Sequence, residues 1–220
     1  MTLPATDDAT LRTRDTAEQM WDLAEEDPAE ARRAYPSGWL WLTGEESVRS
    51  LLAALLAADT DARYGVEDLA SRSELAESAT QTAIEALISV GVLVADEGAY
   101  RINACAIVYH AAAELSAAVE ATGAPDDESG FEYLARLESV RLMLDALLDV
   151  DPNQSLEQED IHRLSGVSRK RVWHHVEKLV DLGVVEESGD EYVVGSTSVV
   201  RWVQSLDAAV VGATLAPSPP

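Results

Sequence analysis

The tetrapeptide Glu46-Ser47-Val48-Arg49 returns as Glu138-Ser139-Val140-Arg141, 92 positions further along the chain. Laid over itself at that offset without gaps, the sequence keeps its register far beyond the motif. GWLWLTGEESVR from Gly38 falls on GFEYLARLESVR from Gly130, matching aromatic with aromatic and Leu42 with Leu134. Leu52, Ala54, Leu55, Leu56 and Asp59 meet Leu144, Ala146, Leu147, Leu148 and Asp151. Glu67-Asp68 meets Glu159-Asp160, Leu87 meets Leu179, Gly91-Val92 meets Gly183-Val184, and Tyr100 meets Tyr192. Ala121-Thr122 and Ala124-Pro125 still fall on Ala213-Thr214 and Ala216-Pro217. About 26 of 88 aligned positions are identical, several times what unrelated sequence gives. The chain therefore reads as a tandem duplication, and it must adopt a fold that one unit can form twice.

In the second copy, Leu134, Leu137, Val140, Leu144, Leu147 and Leu148 recur at helical spacing, which predicts one helix over 134–148. Asp151-Pro152-Asn153 ends it. A short helix is expected over 156–164, followed by the tight turn Ser165-Gly166-Val167-Ser168, with Ser168 as N-cap of a third helix reaching Leu182. Gly183 stops that helix. Val184-Val185-Glu186-Glu187 and Glu191-Tyr192-Val193-Val194 read as short strands joined by the tip Ser188-Gly189-Asp190. A last helix follows from Gly195-Ser196 to Ala213. The first copy repeats this order, with helices over 45–58, 66–73 and 78–90, strands near 92–95 and 99–102, and a helix over 103–122. The expected fold is mainly α with small β-wings: two winged helix-turn-helix modules in tandem, each followed by a C-terminal helix. The divisions are an N-terminal helical arm (1–37), module 1 with its flanking helix (38–129), and module 2 with its flanking helix and short proline-rich tail (130–220).

The stretch LSGVSRKRVWHHVEKLVDLGVVEESGDEYVV, from Leu164 to Val194, resembles the core of MarR- and ArsR-type archaeal transcription regulators. The likeness lies in the turn at Gly166, in Leu179, Leu182, Gly183 and Val184 closing the third helix, and in the wing ending on Tyr192. It implies a transcription regulator that binds double-stranded DNA and pairs through its flanking helices. Winged helices also act as protein-interaction modules, so the fold by itself does not establish DNA binding.

The third helix of each module carries more information. At 100° per residue, Val172, Val176, Leu179 and Val180 share a core-facing side, while Lys170, Arg171, His174 and Lys178 face away. The only two lysines of the chain lie on that face, beside Arg169 and after Ser168. Lys and Arg neutralise phosphates, Arg can fork onto guanine, and the basic end of a helix can enter a major groove. Ser168, Arg169, Lys170, Arg171, His174 and Lys178 are thus the expected DNA-binding residues. Glu177 and Asp181 farther along limit the approach to the first turns. The acidic wing, with Glu186, Glu187, Asp190 and Glu191, must either stay clear of the duplex or be bridged to it by cations. In module 1 the four outward positions are Ser78, Ala79, Thr82 and Ala86, and Glu77 replaces Arg169. Only Ser78, Thr80, Gln81 or Thr82 could reach bases there, weakly and without phosphate anchors, so module 1 is expected to serve assembly.

The segments 104–122 and 196–213 are rich in alanine and valine, more apolar than a helix wetted on one side. They are expected to pair, either as an internal pseudo-dimer or between two chains. The arm is expected to carry a helix containing Met20, Trp21 and Leu23, its end punctuated by Pro28 and Pro36, and to cover part of that surface. Pro217, Pro219 and Pro220 form a tail.

Forty acids against sixteen bases give a net charge of −24, spread along the whole chain, while 47% of the residues are apolar. Such carboxylate density resembles the proteins of salt-loving archaea, where molar salt shortens the Debye length to roughly 3 Å. Cys105, the single cysteine, excludes an internal disulfide and reads as a small buried hydrophobe. No apolar run reaches membrane-span length, and the first residues are polar, which predicts a soluble cytoplasmic protein.

Enzyme signatures are lacking. His162, His174 and His175 with Asp160 match no metal motif, Ser165 and Ser168 belong to a turn and a cap, and no glycine-rich phosphate loop is present. No cofactor and no metal are expected. Trp39, Trp41 and Tyr109 read as core or as the lining of a pocket between modules. The sequence points to a DNA-binding transcription regulator acting through module 2. The alternatives are a winged-helix protein-interaction adaptor in a transcription or chromosome-organising complex, and a ligand-sensing regulator.

Overall fold

A computed structural model describes residues 2–3, 6–125, 127–152 and 154–215. Asn153, expected to help end a helix, and the prolines of the tail lie outside the described residues. The described chain is mainly helical, with small antiparallel sheets. No helix in it is long and apolar enough to cross a membrane.

The arm holds a hairpin, β1 (Thr2–Leu3) with β2 (Thr6–Thr10), then α1 (Ala17–Ala24) and α2 (Pro28–Ala34). Asp27 starts α2 by accepting from Glu30 N at 3.0 Å, with Pro28 in the first turn, where its missing N–H is harmless. Pro28 therefore opens a helix that sequence reading did not place.

Eight elements follow in each half. The first set is α3 (Gly38–Gly44), α4 (Glu46–Leu56), β3 (Arg63–Tyr64), α5 (Val66–Ser73), α6 (Glu77–Ser89), β4 (Leu93–Asp96), β5 (Ala99–Ile102) and α7 (Ile107–Glu120). The second is α8 (Gly130–Ala135), α9 (Glu138–Leu148), β6 (Ser155–Leu156), α10 (Gln158–Ser165), α11 (Arg169–Asp181), β7 (Val185–Ser188), β8 (Glu191–Val194) and α12 (Ser198–Leu215). The sheets have the orders β3-β5-β4 and β6-β8-β7. Leu93 pairs with Ile102 as Val185 pairs with Val194, the same register 92 positions on.

The repeated residues hold the element ends. Asp68 accepts from Gly65 N at 2.9 Å and Asp160 from Glu157 N at 3.0 Å, fixing the starts of α5 and α10. Gly91 and Gly183 take φ of +75° and +65°, which lets Val92 N reach Leu87 O and Val184 N reach Leu179 O to close α6 and α11. The repeated arginine has a comparable task. Arg49 donates to Thr43 O at 3.0 Å and Arg141 to Ala135 O at 2.6 Å, each satisfying a carbonyl at the end of the preceding helix.

That break corrects the expectation of one helix over 134–148. Leu137 is extended, with φ −95° and ψ 117°, so α8 and α9 are separate. The third strands β3 and β6, two residues each, were also not expected. Both terminal helices are displaced from 104–122 and 196–213, starting at Ile107 and Ser198. Cys105 consequently sits in the turn before α7 and is exposed, not buried.

The two halves share one apolar core. Helix α7 packs along α12, α3 lies against α12 and α9, and α8 lies against α7 and α4. Gly38 and Gly130 permit the close approaches, because a Cβ at either would run into the backbone oxygens of Asp207 and Ser116 respectively. Trp39 and Phe131, at equivalent places in the two halves, meet edge to face with ring centres 6.5 Å apart.

The arm packs against the second half, with α2 lying on α9 and α10. Arg32 is almost completely buried; it binds Asp145, reaches Asp149 at 3.0 Å and donates to Leu164 O at 3.0 Å. Arg12 adds two hydrogen bonds to the fully buried Asp145, at 3.0 and 3.2 Å. Two arginines of the arm thus converge on one carboxylate of α9.

Candidate nucleic-acid interface

The turn between α10 and α11 is held from several sides. Gly166 adopts φ +69° and abuts the backbone of Ala29 in α2. Ser165 Oγ donates to Ile161 O and accepts from Val167 N at 3.2 Å. His162 donates through Nδ1 to Val167 O at 2.7 Å, which gives that imidazole a structural task. Ser168 holds the expected N-cap position, with φ −58° and ψ 145°, but it is exposed and its side chain makes no capping hydrogen bond among the described residues.

Helix α11 turns Val172, Val176 and Leu179 into the core, as its periodicity requires, while Val180 is only partly buried. Arg169, Lys170 and Arg171 occupy its first turn and are exposed. A helix start favours acids, so three bases there disfavour the helix itself and concentrate positive potential at its exposed tip. The equivalent α6 begins with Glu77. Arg169 is engaged by Glu159, with Nε 2.6 Å from Oε2, and this pairing raises its pKa while lowering that of Glu159. Lys170 and Arg171 have no ion-pair partner among the described residues and carry the free charge of this turn.

Lys178 departs from the expectation. Its ammonium lies 3.5 Å from the centre of the Tyr133 ring and donates to Tyr133 O at 2.5 Å, so the side chain is directed at α8 instead of solvent. Burial, with a smaller contribution from Arg136, lowers its pKa to about 8. His174 is exposed and lies edge to face with Trp173 at 4.9 Å. His175 is half-buried, and burial followed by the charges of His174, Lys178 and Arg171 lowers its pKa.

Sequence reasoning passed over Trp173, which is 64% exposed on the same tip. A residue of this size outside the apolar stripe was the available signal. Between α11 and the β7–β8 hairpin lies a hollow of about 510 Å³ whose lining includes Trp173, His174, Glu177, Asp181, Glu187 and Tyr192. A neighbouring hollow of about 490 Å³ is lined by Glu157, Glu159, Glu187 and Asp190. The basic tip thus borders strongly acidic ground.

In the first half, Ser78 and Gln81 are exposed and Thr82 is partly so. Thr80 is completely buried, with Oγ1 donating to Ala76 O at 3.0 Å, and cannot reach a base. Ala86, placed outward by sequence reading, is also completely buried. Helix α6 packs against α4, α5 and β4. Trp39, Trp41 and Tyr109 are all buried, and among them Trp41 lines a hollow against the arm. No family model, curated protein or solved structure matches this chain.

Proposed function

We propose that this chain is a non-enzymatic transcription regulator built from two winged helix-turn-helix modules that arose by duplication, reading double-stranded DNA through the first turns of α11. The observation that carries the reading is the pair of bases Lys170 and Arg171, without ion-pair partners among the described residues, at the exposed start of the helix that follows the tight turn. Lys170 suits a phosphate, Arg171 a phosphate or guanine, and His174 and Ser168 can add polar contacts. Arg169 contributes after exchanging Glu159 for phosphate. Lys178 belongs to the packing of module 2.

Module 1 serves assembly in this reading, with α7 and α12 forming the inner seam of a pseudo-dimer within one chain. Ser78, Gln81 and Thr82 offer α6 no cation with which to hold a phosphate. The acidic surface suits a halophilic cytoplasm, where dense salt screens it.

The test is titration of duplex DNA in concentrated KCl with three forms of the protein. Lys170→Ala/Arg171→Ala should weaken binding by about tenfold or more with the fold retained, as expected for loss of one phosphate and one further charged contact. Lys178→Met should leave affinity unchanged. Equal affinity of the double variant and wild type would falsify the reading.

A second reading, a protein-interaction adaptor, is favoured by the exposed Trp173 beside acidic hollows. Exposed tryptophans anchor protein interfaces, and the surrounding carboxylates would select a basic partner. In that case Trp173→Ala abolishes partner capture, and no DNA is bound.

A further inference from the structure

We infer that Trp173 is a specificity-determining residue of the DNA site and reads one thymine through its 5-methyl group and O4. The inference rests on DNA reading through α11 and names a base which that helix selects.

Trp173 stands in the second turn of α11 and is 64% exposed. Its counterpart in the first half is the exposed Gln81 of α6, so the fold does not require an aromatic side chain there. Residues three and four apart are neighbours on a helix, which puts Trp173 one turn beyond Arg169 and Lys170 and one turn before Glu177. Its edge-to-face contact with His174, ring centres 4.9 Å apart, joins the indole to a second exposed ring one turn beyond Lys170. The basic first turn thus continues into an aromatic surface, and the carboxylate of Glu177 ends it.

An indole offers an apolar ring and one N–H donor, with no acceptor. Among the four bases, thymine alone presents to the major groove an apolar group beside an acceptor and no donor, its C5-methyl and O4. Cytosine shows an N4 amino donor, adenine an N6 amino donor beside N7, and guanine N7 and O6 with nothing apolar. Over those edges the ring would displace water from polar groups that its single N–H leaves unmatched. Among the described residues the Trp173 N–H has no acceptor, and it is available for O4. Trp173 follows Arg171 by two residues, about 3 Å of helix rise, and successive bases on a strand are about 3.4 Å apart, so the thymine lies within about two base pairs of the Arg171 contact.

A chain of net charge −24 gains little from long-range attraction to DNA, and salt screens what remains. Burial of a methyl group against an indole is not screened, so it suits discrimination at high salt.

The experiment uses the duplex that wild type selects in concentrated KCl, with each thymine replaced singly by deoxyuridine. That change keeps O4 and base pairing and removes only the methyl group. At one position it should weaken wild type by about fourfold, the share of one buried methyl group. Trp173→Ala alters an exposed side chain and should retain the fold, checked by thermal melting. It should bind the unmodified duplex about tenfold more weakly and lose the penalty for uracil at that position. Binding by wild type with no thymine sensitive to uracil, or the same sensitivity in Trp173→Ala, overturns the inference and leaves DNA reading through α11 standing. Failure of folded wild type to bind any duplex overturns both.

Discussion

At the scale of single residues, Lys178 decides how much of α11 faces outward. Counting at 100° per residue puts it with Lys170 and His174, but its long stem carries the ammonium to the ring and carbonyl of Tyr133. Its pKa in the fold, about 8, lies below the ordinary 10.5, so the folded protein holds this proton less tightly than the unfolded chain. Between those values the unfolded state binds more protons, and stability rises with pH. Denaturant unfolding of wild type and Lys178→Met across that window should show wild type gaining stability relative to the variant as pH climbs above about 8. A difference independent of pH would mean that the ammonium is solvated.

At the scale of elements, the arm accounts for the main asymmetry between the halves. Gly166 ends α10 in the left-handed region against Ala29, whereas its counterpart Glu74 takes φ +56° with a full side chain. A Cβ is therefore tolerated at the first turn and excluded at the second. Gly166→Ala should destabilise the protein by about 2 kcal/mol or more, combining left-handed strain of roughly 1–2 kcal/mol with the clash against α2. Glu74→Gly should be close to neutral, and equal effects at the two sites in thermal melts would contradict the packing of the arm. Most element ends were legible, because the residues that recur, Asp68 with Asp160 and Gly91 with Gly183, are those that start and stop helices. The break at Leu137 was not, since a leucine there also continues the apolar stripe of a single helix. Strands of two residues carry no period to detect, and the burial of Thr80 and Ala86 comes from neighbours that helical counting does not include. Within the candidate site, the basic first turn of α11 was legible as a charge anomaly, whereas the engagement of Arg169 by Glu159 depended on a contact between separate helices.

At the scale of the whole molecule, α7 and α12 pack together in the shared core. A net charge of −24 surrounds a basic tip of a few residues. Ordinary DNA binding weakens steeply as salt rises, through counterion release. Here added salt also screens repulsion between the acidic surface and phosphate, so the slope of log affinity against log salt should be shallow or reversed; a steep conventional decline would contradict a surface adapted to high salt. In the proposed reading, two modules of which one carries bases also predict the form of the target. The most direct test is selection of bound fragments from random-sequence duplex DNA in concentrated KCl, with wild type and an Arg169→Ala/Lys170→Ala/Arg171→Ala variant in parallel. Enrichment of a single non-palindromic site by wild type alone is the predicted result; enrichment of a palindrome would contradict the division of labour between modules, and no enrichment by folded wild type would contradict DNA reading itself.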